Sequence, residues 1–426
     1  MIASLRGDLE HWEADVQENG PLEKHFTQVH RLALQLTTTI EDLAGLLDSG
    51  GAVADLAEQV LDLHHVWDFF RSKLVLRCMP AYRDFLDAAD ELAWSCYKPA
   101  LDPVGTALKL PPLVFLNRNV APFAVARGSD YRSLLPRDIY TLVGRDAVRQ
   151  LPFPIIGVPW HQSEHLPGTL AVAHEVGHHI EDDCRLSEEL RARLRGSGLQ
   201  PERVQVWETW LGEAFADVCA CLACGPAYAL TLADAMEANG SAGAGSDRYP
   251  PAQVRVQICE ATLGKTGRAG SAAADPFRRG RFRSSGQSGS VHDAGGEAAL
   301  VVDAWMTGGY PGLPGKALSV LSCPDAQDPT LGAAKFLQGL PSGARDARAV
   351  LAAAATAFLE DPIKYDTLQV GPVAISEVLA LRPKGLRRDL ADLHATDERD
   401  IAAGHTLTSL LSKSRATADS ARPGQD

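Results

Sequence analysis

His174-Glu175-Val176-Gly177-His178 places two histidines four residues apart inside an apolar stretch, and the rest of the chain is most easily read outward from it. On a helix, residues i and i+4 share a face, so the two imidazoles can address one Zn²⁺ at about 2.0 to 2.1 Å. Ala173, Val176, Gly177 and Ile180 form the adjoining apolar stripe that anchors such a helix, and Pro167-Gly168-Thr169 is a helix-starting signal just before it. Glu175 flanks the ligand face, where a base for a metal-bound water belongs. HExxH also arises by chance in long chains, so a third ligand has to be found elsewhere.

Trp207 to Asp217, WETWLGEAFAD, supplies one. Trp207, Trp210, Leu211, Ala214 and Val218 trace a buried helix face, with Glu213 and Asp217 one turn apart on its flank. Carboxylates beside a buried face are costly without partners. Glu213 completes a His₂Glu set around one zinc ion with the fourth position open. Asp217 is placed to accept a hydrogen bond from the outer nitrogen of a ligand histidine and so fix its tautomer. The expected reaction is hydrolysis by a zinc-activated water, with Glu175 as the general base.

HEVGHH followed by Glu213-Ala214-Phe215-Ala216-Asp217, an ExxAD motif, resembles the gluzincin branch of the zincin metallopeptidases. Tyr249-Pro250-Pro251-Ala252-Gln253-Val254-Arg255 is similar to the HPPxxxR element of the family containing prenyl-protein endopeptidases and heat-shock membrane proteases. The likeness covers roughly residues 150 to 262. It implies a zincin-like core and zinc-dependent endopeptidase chemistry, with His174, His178 and Glu213 as ligands, Glu175 as base and Asp217 behind the ligands. Two departures matter. Tyr249 stands where the family has histidine, so a tyrosine hydroxyl would have to donate to the developing oxyanion. The family's flanking membrane helices are missing, which turns the expected substrate from prenylated or integral membrane proteins to soluble polypeptides. Arg255 is read either as orienting the substrate or Tyr249, or as the ion-pair partner of a nearby acid.

Around this centre the patterning predicts an α+β protein, mainly α, in which helical amino- and carboxy-terminal regions flank a core with a small sheet. Leu56, Val60, Leu63, Val66 and Phe70 recur at helical spacing within a region 1–108. The short apolar runs Leu113 to Leu116 and Ile155 to Val158 open a core region 109–263 as strands, the second expected to be the sheet edge on which an extended peptide docks. Residues 264–296 are poor in large apolar side chains and are read as linker, 297–412 as helical, and 413–426 as a disordered tail.

With 41 Lys+Arg against 54 Asp+Glu, the formal charge of -13 disfavours nucleic acid and anionic lipid as partners. The one dense basic run, Arg278, Arg279, Arg281 and Arg283, falls in the linker and is read as solvated. Arg6, Asp8 and Glu10 leave no apolar segment for a signal peptide, and Val218 to Ala233, broken by Gly225-Pro226, is too short to span a bilayer. A cytoplasmic location with reduced thiols is the expectation, and Cys219, Cys221 and Cys224 are read as small buried residues. His179 is read as a surface residue, His161 and His165 as a solvated loop, and His64, His65, Trp67, Phe69 and Phe70 as packing. The expected partner is a polypeptide substrate, with the helical flanks offering surface to a regulatory protein. A binding protein with a structural zinc, or a peptidase held latent until an effector acts, are the alternative readings.

Overall fold

Alternation along two short strands sorts the interior into two cores. The computed structural model describes residues 1–16, 22–101, 111–126, 153–238, 249–266, 290–382, 397–398 and 400–409. Strand β1 (Leu113–Asn117) runs parallel to β3 (Ile155–Pro159), and β2 (Phe123–Val125) pairs antiparallel with the other side of β3, giving the order β1-β3-β2. Successive side chains on a strand point to opposite faces. Leu113, Phe115 and Ile155 accordingly join one buried cluster, while Val114, Leu116, Ile156 and Val158 join the other. Burial on both faces explains why these strands read as continuous apolar runs rather than alternating ones.

The first cluster is built by α1 (Ile2–Asp15), α2 (Phe26–Asp48) and α3 (Val53–Leu74). Helix α3 buries Leu56, Val60, Leu63, Val66, Trp67, Phe69 and Phe70, the stripe expected from the spacing. The second cluster gathers α4 (Pro80–Leu101), α5 (Ala171–Asp183), α6 (Ser187–Arg195), α7 (Pro201–Ala238), α8 (Ala252–Lys265) and α9 (Ser290–Met306). It also takes in α10 (Thr330–Phe336), α11 (Ala347–Glu360), α12 (Pro362–Thr367) and α13 (Val370–Leu381). The fold is therefore mainly helical around a small mixed sheet.

The cores divide the chain differently from the regions read off the sequence. Helix α4 lies within the expected amino-terminal region but packs with α5, α11 and α13, and the helices after residue 297 share the core of 109–263. Both ends of the expected linker are helical, since α8 runs to Lys265 and α9 starts at Ser290; Arg278, Arg279, Arg281, Arg283 and the tail 413–426 lie outside the described residues. A last helix, α14 (400–409), returns to the amino-terminal cluster. There Arg31 pairs with Asp400 at 2.8 Å, Thr39 Oγ1 donates to the Gly404 carbonyl, and Leu407 is buried.

Two further expectations change. Strand β3 is the centre of the sheet and not its edge, since β1 and β2 pair with its two sides; among the described residues β2 is the edge strand that packs beside α5. The opposite edge, β1, is capped by a buried ion pair. Asp90 Oδ1 accepts from the Val114 N–H at 3.1 Å and Arg77 Nη2 donates to the Val114 carbonyl at 2.5 Å, which occupies the groups a neighbouring strand would use. Gly225-Pro226 kinks α7 rather than ending it. Gly225 takes φ 62°, and a Cβ there would lie 2.2 Å from the Ala326 carbonyl oxygen. With the kink included, α7 is long and apolar enough to cross a membrane, yet 83% of its apolar window is buried within the protein.

Candidate metal centre

Two helices meet at a glycine. A Cβ on Gly177 of α5 would sit 2.7 Å from the Ala216 Cα on α7, so the pair of small residues lets the two backbones approach closely. This contact brings the HExxH face of α5 against the flank of α7 that carries Glu213 and Asp217. Gly177→Ala is expected to cost about 1 to 3 kcal/mol by overpacking and to weaken metal binding, because the candidate ligands sit on both helices. Chemical denaturation together with a zinc titration checks both effects.

His174, His178 and Glu213 bring one candidate ligand atom each to within 4.8 Å of one another. His174 Nε2 lies 3.3 Å from Glu213 Oε2, and His178 Nε2 lies 3.6 Å from Glu213 Oε1. Two ligands of a tetrahedral zinc, each about 2.0 to 2.1 Å from the ion, are about 3.3 to 3.4 Å apart. The donor set and its spacing therefore fit that ion. His174 Nδ1 is turned away, 2.9 Å from Asp217 Oδ1, which leaves Nε2 for the metal side.

Asp217 is fully buried and holds several partners. Arg255, on the first turn of α8, donates from Nε to Oδ2 at 2.7 Å and from Nη2 to Oδ1 at 2.6 Å, and the Tyr228 hydroxyl donates to Oδ1 at 2.6 Å. Burial alone would raise the Asp217 carboxyl, but the Arg255 charge and the bonds from Arg255 and His174 outweigh it and hold the group well below the usual carboxylate range. Of the two roles open to Arg255 in the sequence, the geometry gives it the ion pair. Tyr249 lies three residues before α8 and is 53% exposed.

The histidines differ in charge for the same reasons. Burial pulls His174 down, yet its bonds to Asp217 and Glu213 prevail and raise it to about 9. His178 is lowered to about 4, chiefly by burial and then by the charge on His174, so it offers a lone pair at neutral pH. A metal entering the site must therefore displace the His174 Nε2 proton. Zinc affinity is expected to fall as pH drops below about 9, by about tenfold per unit for one proton released, and to level off above it. Zinc competition at a series of pH values measures that slope.

Glu175 is 7% exposed, and no side chain hydrogen-bonds to it among the described residues. Burial, with smaller contributions from the Glu213 and Asp217 charges, raises it to about 7 against the opposing pull of His174 and Arg255. His179, expected at the surface, is 1% exposed, because α5 is covered by α4, α7 and β2 on different sides. His165 packs edge-on against Phe358 at 4.9 Å, while His161 lies in the 3-10 turn Trp160–Glu164 ahead of α5. Cys219, Cys221 and Cys224 are buried in the core of α7 as free thiols, and burial pushes the Cys219 thiol well up.

His25, Asp87 and Asp90 form a second cluster of ligand-type side chains, but its carboxylates are already neutralised. Arg77 Nη2 donates to Asp90 at 2.7 Å and Arg382 Nη1 to Asp87 at 2.7 Å, so a cation there would face two guanidinium groups. Tyr228 is the site residue that sequence reasoning missed. It lies eleven residues, about three helical turns, beyond Asp217, and Gly225-Pro226 read as a break before it. Compared with protein-family models, curated proteins and solved structures, the chain matches none of them.

Proposed function

We propose that the chain is a zinc-dependent metallopeptidase with a zincin-like core, acting on a soluble protein or peptide. The observation that carries this reading is the convergence of His174, His178 and Glu213, one candidate ligand atom each within 4.8 Å of one another, with the buried carboxyl of Glu175 next to them and without a side-chain hydrogen bond among the described residues. The motif resemblance along His174 to Arg255 points the same way. Two imidazoles and a carboxylate suit zinc, and three ligands among the described residues, where structural zinc sites use four, favour catalysis over a structural ion.

When bound at His174, His178 and Glu213, zinc supplies Lewis-acid activation of water and of the amide carbonyl. The remaining work falls to the chain. Glu175, next to the candidate ligand His174, is the general base: it accepts a proton from the attacking water and returns it to the leaving amine. Asp217 fixes His174 with Nε2 forward, and Arg255 keeps Asp217 ionised. The close contact of Gly177 with Ala216 sets the distance between the histidines and Glu213.

The test is mass-spectrometric sequencing of a denatured proteome-derived peptide library incubated with zinc-loaded protein, in parallel with Glu175→Gln. Cleavages confined to the wild type are the expected result and also report side-chain preference. Identical peptide profiles from zinc-loaded wild type and zinc-loaded Glu175→Gln would contradict the proposal.

A further inference from the structure

One oxygen of Asp217 is asked to accept more hydrogen bonds than it has lone pairs. His174 Nδ1 at 2.9 Å, the Tyr228 hydroxyl at 2.6 Å and Arg255 Nη2 at 2.6 Å all converge on Oδ1, whereas Oδ2 receives Arg255 Nε at 2.7 Å. A carboxylate oxygen offers about two lone-pair sites. The Tyr228 hydroxyl also lies 3.2 Å from His174 Nδ1, and its ring is nearly parallel to the imidazole at 15° with centroids 6.5 Å apart. The left-handed turn at Gly225 redirects the second half of α7, from which Tyr228 reaches the oxygen.

Tyr228 is not needed to hold the carboxylate in place, since Arg255 grips both oxygens. We infer that the Tyr228 hydroxyl competes with His174 for Asp217 Oδ1, and so keeps the affinity of His174, His178 and Glu213 for a divalent cation below what those ligands would otherwise reach. Tyr228 is thus a positioning residue that acts on His174 through Asp217. The basicity of a ligand histidine follows the strength of the bond from its outer nitrogen. Each further donor on Oδ1 diverts negative charge from that bond and makes Nε2 a poorer donor to the metal. Tyr228 and Arg255 therefore affect the site in opposite directions although both bond to the same carboxylate: losing the arginine frees the carboxylate to move, and losing the hydroxyl concentrates it on His174. The inference rests on the metal-centre reading above.

The test uses the full chain as wild type, Tyr228→Phe, Asp217→Asn and the Tyr228→Phe/Asp217→Asn double variant. Zinc and cobalt(II) affinities are measured by competition with a chromophoric chelator, and the visible spectrum of the bound cobalt is recorded. Tyr228→Phe keeps the ring and is expected to bind both ions about threefold to tenfold more tightly, with shifted cobalt bands. Asp217→Asn is expected to bind about 10- to 100-fold more weakly. The double variant should then show no tightening relative to Asp217→Asn, because the effect of the hydroxyl passes through the carboxylate. Unchanged or weaker binding in Tyr228→Phe, or equal tightening in the Asn background, overturns the inference and leaves the metal centre standing. A wild type that takes up neither ion overturns the metal-centre reading and the inference with it.

Discussion

Glu175→Gln is expected to lower peptide hydrolysis by about 10²- to 10⁴-fold while one zinc is still bound. Glutamine keeps the shape of the side chain but cannot serve as the proposed proton acceptor, and the candidate ligands His174, His178 and Glu213 are untouched. A fall in turnover accompanied by loss of zinc would instead make Glu175 a structural support. In metal-stripped protein the same substitution has a second consequence. Glu175 is raised from 4.5 to about 7 in the folded chain, chiefly by burial, so the stability associated with its protonated form is present below about pH 4.5 and lost as pH rises through 7. Glutamine does not titrate. The variant is therefore expected to be more stable than wild type above pH 7, by about 3 kcal/mol, and to converge with it toward pH 4.5. Urea unfolding of both proteins across that window gives the difference.

Arg255→Met is expected to destabilise the fold by about 3 to 5 kcal/mol, because it removes the guanidinium that grips both oxygens of a fully buried carboxylate and leaves His174 as its remaining cationic partner. Asp217 has no exposed surface, and its partners besides Arg255 are the Tyr228 hydroxyl and His174. Metal binding should weaken in the same variant, since the carboxylate that orients His174 is no longer held. Arg255→Lys restores the charge but not the two-point grip, and is expected to recover part of the stability and less of the metal affinity. A loss below about 1 kcal/mol in Arg255→Met would show that Asp217 protonates or finds water at little cost, and would remove the basis for the network.

The grouping of His174, His178, Glu213 and Asp217 was legible because its signal is local. The i, i+4 spacing of His174 and His178 and the flank position of Glu213 and Asp217 survive any arrangement of the helices around them. Contacts made by distant segments were not legible. Arg255 was recognised as a charge needing a purpose, but only the packing of α8 on α7 selects Asp217 as its partner. Tyr228 was hidden by Gly225-Pro226, since a left-handed glycine before proline ordinarily ends a helix and here redirects one. The strand Ile155 to Val158 was found from composition, yet its central place in the sheet depends on β2, three half-buried residues with too little pattern to announce a strand. His179 was misplaced because a helix covered on several sides breaks the rule that polar residues mark the solvent face. The two buried clusters cut across the regions read off the sequence for a related reason: sequence alone does not state which core α4 and the helices after residue 297 fill.

The measurement that bears most directly on the metal centre is X-ray absorption at the zinc edge of the zinc-loaded full chain. Ligation by His174, His178 and Glu213 predicts nitrogen and oxygen neighbours alone at about 2.0 to 2.2 Å, with imidazole scattering from two histidines that falls when His178 is replaced. A sulfur shell near 2.3 Å would place the ion on cysteine thiolates, and would contradict the centre on which the proposed chemistry depends.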